Sequence, residues 1–272
     1  MKKISLFASA ILLAGGIFST FSCNKAAVDS NTQTTQDNEL CESEFMRILP
    51  LVNSLTQAHL NRAVDRVTAS YPTYTPWDTV TMGNGWPRTL VINYGPTGVV
   101  DPTDGKTRRG VITITFENYW HDIGTPATVT YNNYYVNNIS YTASVNIDHK
   151  SANSYGLAIV NGVCKSTSWT IQFGSSRTVT QTNGIGDSVY AHGAYSVTGT
   201  GNGVDRNQVN FTSTIQAGLP MTLLCDCPDL ITSGTVVITP AGLATRTVNY
   251  GSGICNTQAT VTIDGQNYSI SK

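Results

Sequence analysis

From Asp78 to the C-terminus the chain alternates between apolar and polar residues, and this period of two limits the fold more than any other feature. In residues 111–116, for example, Ile112, Ile114 and Phe116 alternate with valine and threonine. Successive side chains of a β-strand point to opposite faces, so each such run predicts a strand with one apolar face. The runs lie at 89–94, 111–116, 127–136, 139–147, 156–164, 168–173, 188–198, 208–216, 231–239, 244–250, 259–263 and 268–271.

Turn-forming dipeptides separate these runs or lie within them. No helical pattern of about a dozen residues lies between them, so the crossover connections of a parallel sheet are not expected. We predict a mainly β fold with one N-terminal helix and a β domain over residues 78–272. Its sheet is a large antiparallel meander, either curled into a partial barrel or packed as a sandwich. The predicted turns are Asp104-Gly105, Asn137-Asn138, Asn161-Gly162, Asn183-Gly184 and Asp264-Gly265.

Residues 40–77 form the predicted N-terminal helical segment, because apolar residues recur at helical spacing between positions 42 and 69. Ser43 fits the N-cap and Glu44 the first turn, where the helix dipole favours a negative charge. Pro50 should kink or split the helix. The preceding residues, 24–39, are polar and predict a flexible tether.

The first 22 residues are typical of an export signal, with Lys2 and Lys3 before an uncharged apolar stretch. Its end, Thr20-Phe21-Ser22-Cys23, resembles the lipobox of bacterial lipoproteins, in the looser form of Bacteroidota. That resemblance implies cleavage before Cys23 and acylation of its thiol and new amine, which together hold a protein stably on a membrane. Thr20 and Phe21 depart from the usual pattern, and an ordinary cleaved signal with an unrelated cysteine is the alternative.

Asn24 follows the cysteine where aspartate would signal inner-membrane retention, so the resemblance implies the outer membrane and leaves the periplasmic or surface face open. Charged residues make up only 12% of the chain and form no basic run, which excludes nucleic acid as an expected partner. Nothing in the sequence calls for a cofactor.

Five cysteines remain if Cys23 is acylated, and an odd number leaves at least one free thiol. Export permits disulfides, and we expect Cys255 to pair with Cys225 or Cys227. The Cys225-Asp226-Cys227 tripeptide could instead hold a metal, but no second cluster with zinc-like spacing accompanies it, so no metal is predicted.

Residues 88–95 recur in shortened form as residues 246–251, since both begin Arg-Thr and end Asn-Tyr-Gly. The shared pattern predicts a strand that ends in an aromatic residue and is followed by a glycine turn. Together with residues 104–110, 132–137, 233–236 and 245–255, these phrases resemble a group of uncharacterised Bacteroidota outer-membrane lipoproteins. The resemblance spans most of residues 88–271 and implies no catalytic role.

Three groups of residues are candidates for metal binding or catalysis. Asp101, Asp104 and Gly105 could open a calcium loop, although a hairpin turn with solvated carboxylates explains them better. Glu117 and Asp122 could form the carboxylate pair of a glycoside hydrolase, and a surface turn is the alternative. The histidines, His59, His121, His149 and His192, accompany no nucleophile motif; His121 adjoins Asp122, but neighbours in a strand point to opposite faces.

Aromatic residues are the stronger candidates for a ligand surface, because flat rings beside asparagine side chains can stack on sugars. The cluster comprises Tyr119, Trp120, Tyr131, Tyr134, Tyr135 and Tyr141, and ordinary sheet packing is its alternative. Thr79 and Ser188 each follow an aspartate and precede a valine, which resembles the Bacteroidota O-glycosylation signal.

These patterns together predict a membrane-anchored envelope lipoprotein that acts as a noncatalytic binding or structural module. Its expected partners are the membrane and a glycan, a peptide or another envelope protein. A carbohydrate-active enzyme and a carrier that shelters an apolar ligand in a curled sheet are the alternatives.

Overall fold

The computed structural model describes residues 29–60, 79–82 and 86–272, with side chains for 29–57 and 86–272. A helical segment comes first and consists of α1 (Gln33–Met46) and α2 (Ile48–Leu60). The strands are β1 (Thr79–Met82), β2 (Arg88–Asn93), β3 (Val99–Val100), β4 (Thr107–Phe116), β5 (Pro126–Val136), β6 (Ile139–Ser151), β7 (Ser154–Lys165), β8 (Thr170–Asn183), β9 (Ala194–Val204), β10 (Asn210–Ile215), β11 (Met221–Leu224), β12 (Ile231–Pro240), β13 (Arg246–Ser252), β14 (Gln258–Ile263) and β15 (Gln266–Ser271). A short 3-10 turn, Tyr190–His192, lies between β8 and β9.

All of these strands belong to one antiparallel sheet, which confirms the predicted mainly β fold with a large meander and an N-terminal helical segment. The order is β1-β2-β4-β5-β6-β7-β8-β9-β10-β12-β13-β14-β15; β3 pairs with β4, and β11 pairs with β9 and β12. Sequence alternation did not reveal β1, β3 and β11, because strands of two to four residues are too short to show it.

Alternation of burial along the strands places the core on one face of the sheet. In β10, Phe211, Ser213 and Ile215 are buried, while Thr212 and Thr214 are exposed. The buried face packs against α1 and α2, whose apolar residues belong to the same core cluster. The fold therefore has an inner face that covers the helices and an outer face of mostly polar side chains.

The sheet curls around α1. Three acidic residues of this helix form ion pairs with distant parts of the sheet: Glu44 with Arg108 on β4, Glu42 with Arg177 on β8, and Asp37 with Arg206 just after β9. Phe45 on the same helix contacts aromatic rings of β5, β6 and β8. One helix reaches all of these strands only because the sheet bends around it.

The helical segment begins at Gln33, ten residues before the predicted N-cap Ser43, which lies inside α1. Asn31 Oδ1 accepts a hydrogen bond of 2.8 Å from the Gln33 N–H and satisfies one free donor of the first turn. The prediction of a tether is therefore wrong from residue 33 to residue 39, where most side chains are buried. Arginines on the inner side of the sheet pair with acidic residues of this polar helix, and the composition of the helix alone does not reveal such partners. Residues 24–28 lie outside the described part of the chain.

The helix is interrupted at Arg47, as expected from Pro50. Pro50 has no N–H to donate to the Met46 carbonyl, and its ring crowds that carbonyl. The Leu51 N–H resumes the pattern with a 3.2 Å bond to Arg47 O. Residues 61–69 of the predicted helix lie outside the described residues, within which no helix is long and apolar enough to cross a membrane.

The predicted turn at Asn161-Gly162 is wrong, because β7 continues through it. Asn161 has a φ of 52°, and the pairing of β7 with β8 shifts register between Ile159 and Gly162. This is a β-bulge, which uses the same permissive residue types as a hairpin turn. Three of the other predicted turns lie in connections between strands, and the fourth, Asn183-Gly184, spans the last residue of β8 and the first of the following connection.

The internal repeat has a structural counterpart. In both copies the asparagine side chain accepts a hydrogen bond from the glycine N–H, over 2.9 Å in Asn93–Gly95 and 2.8 Å in Asn249–Gly251. The glycines have φ of 71° and 109°, and the intervening tyrosines, Tyr94 and Tyr250, are buried. The first copy confirms the predicted strand, aromatic residue and glycine turn, but in the second copy β13 continues through Gly251 to Ser252, with a register shift against β12 in place of a turn.

Candidate functional site

The six aromatic residues predicted as a ligand surface do not form one. Trp120, Tyr134 and Tyr141 are buried in the core, and Tyr131 is half-buried against it. Trp120 Nε1–H donates to Asn53 Oδ1 of α2 over 2.9 Å, and Tyr134 Oη–H donates to Glu44 Oε1 of α1 over 2.6 Å. Sheet packing around the helix, the alternative interpretation, accounts for these four residues.

The other two aromatics lie outside the core in separate places. Tyr119 is 51% exposed and stands edge-on to Trp86, with ring centroids 4.9 Å apart. The Arg88 guanidinium lies 4.7 Å from the Trp86 ring centroid. Tyr135 instead stacks with Arg109, whose guanidinium lies 3.4 Å from the ring centroid.

Asp101 and Asp104 lie in a buried charge cluster, so the prediction of solvated carboxylates in a hairpin turn is wrong. The side chains of Asp101, Asp104 and Arg108 are 4%, 1% and 2% exposed. Arg108 donates to Asp101 Oδ2 over 3.1 Å and to both oxygens of Asp104 over 3.0 and 2.8 Å. The Arg108 guanidinium therefore occupies the position between the two aspartates that a calcium ion would take.

Glu44 of α1 completes the cluster. It accepts two hydrogen bonds from Arg108, over 3.2 and 2.9 Å, in the bidentate geometry that makes arginine–carboxylate pairs strong. Burial alone would raise the pKa of Glu44, but the charge and hydrogen bonds of Arg108 outweigh it and lower that pKa to about 2. Glu44 is therefore ionised at every physiological pH.

Arg47, at the break between the helices, ties the cluster to the rest of the fold. It donates to Asp104 Oδ2 over 2.8 Å and to the carbonyl of Pro228 over 3.2 Å. The cavity between these residues and Tyr190 has a volume of ≈ 20 Å³, room for about one water molecule. With its charges paired and so little space, the cluster serves to fasten the helix to β4.

Glu39 is the one α1 carboxylate whose pKa is clearly raised in the described structure. It is 3% exposed, and its Oε2 has no hydrogen-bond partner among the described residues. Burial raises the pKa of Glu39 to about 7, and the charge of Glu42 acts in the same direction. Near neutral pH, Glu39 therefore changes between a neutral and a charged form inside the protein.

We expect the stability of the protein to fall as the pH rises from about 4.5 to about 7. In this range the folded state keeps the proton of Glu39 that the unfolded chain releases, so deprotonation favours unfolding, by up to about 3 kcal/mol in all. Below pH 4.5 the stability should fall again as the pH approaches 2, because Glu44 binds a proton more readily in the unfolded chain.

Urea unfolding at a series of pH values measures this profile, with Glu39→Gln as the test variant and Glu117→Gln, at an exposed turn, as the control. Glu39→Gln should remove the fall between pH 4.5 and 7 and stabilise the protein at pH 8. An unchanged slope in Glu39→Gln would contradict the assignment.

The residues of the hydrolase hypothesis lie on the surface. Glu117, His121 and Asp122 are all exposed in the connection between β4 and β5 and line no cleft described in the structure. His149 is buried, and its ring contacts those of Trp120 and Tyr155, which also stack on each other. Although the His121 side chain is exposed, the protein around it partly desolvates the ring and lowers its pKa. The surface-turn interpretation fits this geometry.

The structure contains a disulfide between Cys227 and Cys255, one of the two expected pairings. It contains a second that the sequence did not predict, between Cys41 of α1 and Cys164 of β7. Cys225 is the free thiol, and burial raises its pKa to about 12, so it is unreactive. Asp226, Cys227 and Cys255 lie within 4.8 Å of one another, but the disulfide occupies both sulfurs and leaves no thiolate for a metal.

Of the three predicted modification sites, only Ser188 has a described side chain. Ser188 is half-buried in the connection between β8 and β9, where Asp187 Oδ2 lies 2.5 Å from His192 Nδ1. Thr79 begins β1, but its side chain lies outside the described structure, as does Cys23 altogether.

An open groove of ≈ 580 Å³ lies on the outer face of β8, β9 and β10. It runs across the strands between two rows of outward residues, and its floor is the backbone of Ser175, Gly201 and Ser213; the side chains of the two serines point inward. This volume falls within the range of small-molecule sites, about 300–1,000 Å³. One row holds Gly174, Asn202 and Thr212, and the other Ser176, Thr200 and Thr214; we call these residues the polar groove.

The polar groove offers free hydrogen-bonding groups. Within the described residues, the side chains of Ser176, Thr200, Asn202, Thr212 and Thr214 make no hydrogen bond to the protein, and all five are exposed. Gly174 keeps one end open, because a Cβ there would lie 3.1 Å from Asn202 Oδ1. Sequence alternation identified these strands but could not show which outward residues line a recess.

No protein-family model, curated protein or solved structure matches this chain.

Proposed function

We propose that the protein is a lipid-anchored lipoprotein of the bacterial envelope, held in the outer membrane through Cys23, and that it is a noncatalytic module that binds its ligand on the outer face of the sheet. The anchor rests on the sequence that surrounds Cys23. The binding mode rests on one structural observation: the protein's own helices fill the inner face of the sheet, and the large described groove lies outside.

The filled interior disfavours the carrier hypothesis. An apolar ligand would need the space that α1, α2 and their core partners take up, and the cavity beside Glu44 has a volume of only ≈ 20 Å³. The enzyme hypothesis gains no support from Glu117 and Asp122, since both are exposed at a turn. A glycan, a peptide or another envelope protein on the outer face is the remaining partner.

The ion pair between Asp29 and Arg246 suggests how the body is oriented on the membrane. Arg246 Nη2 lies 2.7 Å from Asp29 Oδ2, which fixes the chain at the start of β13 only six residues after Cys23. Six residues span at most about 20 Å. If Cys23 carries the lipid, the β12–β13 connection lies at the membrane end of the sheet.

Mass spectrometry of the full-length protein, expressed in a bacterium that acylates lipoproteins, tests the anchor. We expect a mature N-terminus at Cys23, the mass of the attached acyl chains, and recovery in the membrane fraction. Cys23→Ala should abolish all three, whereas Cys225→Ala should change none. Recovery of an unacylated, soluble protein cleaved at another position would contradict the proposal.

A further inference from the structure

We propose that the polar groove binds a neutral oligosaccharide that lies across β8, β9 and β10. This rests on the proposed binding function and names its ligand class. Three cross-strand neighbours, Ser176, Thr200 and Thr214, present hydroxyl groups in one row, because Thr200 pairs with both of the others. Asn202 and Thr212 face them from the other row.

The spacing of the groove suits a sugar chain. The two rows are two residues apart along each strand, about 6.6 Å, and successive members of a row are about 4.8 Å apart. A hydroxyl can donate and accept, and an amide side chain can do both at once. A chain of sugar rings could therefore exchange hydrogen bonds with both rows along the groove.

The absence of charge favours a neutral ligand. The exposed side chains that border the two rows on β8, β9 and β10 are uncharged: Gln172, Thr178, Thr198, Asn210 and Gln216. Arg177 on the same strand points inward and pairs with Glu42. An anionic ligand would find no cation in this part of the described surface to offset its loss of hydration.

The floor of the groove disfavours a peptide. Its backbone groups take part in the ladders of β8 with β9 and of β9 with β10, so none is free for an added strand. The inward side chains of Ile159 and Ser213 leave the floor without an apolar pocket for a peptide side chain. The polar groups that the groove offers a ligand are therefore side-chain hydroxyl and amide groups.

Titration calorimetry of the full-length protein in detergent tests this, with cellotetraose, maltotetraose, xylotetraose, chitotetraose and, as the acidic probe, tetragalacturonate. We expect at least one neutral tetrasaccharide to bind with an affinity that is unchanged between low and high salt. Thr200→Val/Thr214→Val, which removes two hydroxyls and keeps the side-chain shape, should weaken that binding at least about tenfold.

The matched control is Thr128→Val/Thr260→Val, which changes exposed outer-face threonines on β5 and β14 and should leave affinity unchanged. Both double variants should keep the wild-type melting temperature, since none of the four hydroxyls makes a hydrogen bond to the described protein. The proposal is overturned if no neutral probe binds at millimolar concentration or if tetragalacturonate alone binds. It is also overturned if Thr200→Val/Thr214→Val binds the neutral probe as tightly as Thr128→Val/Thr260→Val does. Such a result together with an acylated Cys23 would leave the anchor intact.

Discussion

Replacing Arg108 with alanine should lower the free energy of unfolding by about 3–5 kcal/mol, because it removes the shared cation of three buried carboxylates and leaves Asp101 with no ion-pair partner among the described residues. Glu44, Asp101 and Asp104 all accept hydrogen bonds from this guanidinium, and their side chains are at most 7% exposed. Arg47 contacts two of them but is too far from Glu44 for a hydrogen bond, at 3.9 Å. Urea unfolding followed by circular dichroism measures the loss.

The neighbouring residue provides the control. Arg109 lies next to Arg108 on β4 but points to the outer face, where it stacks on Tyr135 and forms no ion pair with the described residues. Arg109→Ala should cost about 1 kcal/mol or less. The loss in Arg108→Ala should also shrink at acid pH, where the freed carboxylates bind protons. Equal losses in the two variants would show that the charge cluster does not hold the helix.

The fold was largely predictable because its information is local. Alternation along a strand depends only on which face meets the core, so twelve strands could be located without knowing their partners. Pro50 likewise breaks a helix through its own missing N–H. The strand predicted at 231–239, observed as β12, and the asparagine–glycine contacts of the Asn-Tyr-Gly repeat follow from the same local rules.

The start of α1 was not predictable in this way. Residues 33–39 are polar, and polar composition ordinarily indicates a solvated segment. Their burial depends on Asp205, Arg206 and Tyr250, which lie far away in the sequence. The same reason explains in part why Asp104 was assigned to a solvated turn: Arg108 is only four residues away, but Arg47, 57 residues away, and Glu44, which pairs with Arg108, come from the helices that bury the cluster.

The proposed binding surface was missed for a related reason. Clustering of aromatics in the sequence suggested a binding face, yet alternation sends Tyr134 and Tyr141 to the core and Tyr135 to the outside. The polar groove draws its residues from three strands, and threonine at positions 200 and 214 is unremarkable in a strand. Only the curled sheet brings such residues together.

Removing the Cys41–Cys164 disulfide by Cys41→Ala/Cys164→Ala should destabilise the protein by about 5 kcal/mol. The bond closes a loop of 123 residues, and a cross-link restricts the unfolded chain more when its loop is longer. The same relation gives about 3.5 kcal/mol for Cys227–Cys255, which closes only 28 residues. The helix would also lose its one covalent link to β7 within the described chain.

The double variant loses both the packing of two cysteine side chains and the cross-link between them. Cys225→Ala measures the packing contribution alone, because Cys225 is equally buried and forms no disulfide. We expect it to cost about 1 kcal/mol, by the deletion of one small buried side chain. Alkylation of the unreduced, unfolded wild-type protein should label Cys225 alone among the five cysteines beyond Cys23. If Cys41 and Cys164 were labelled as well, the cross-link would be absent from the protein, and Cys41→Ala/Cys164→Ala should then cost only the packing of two small buried side chains.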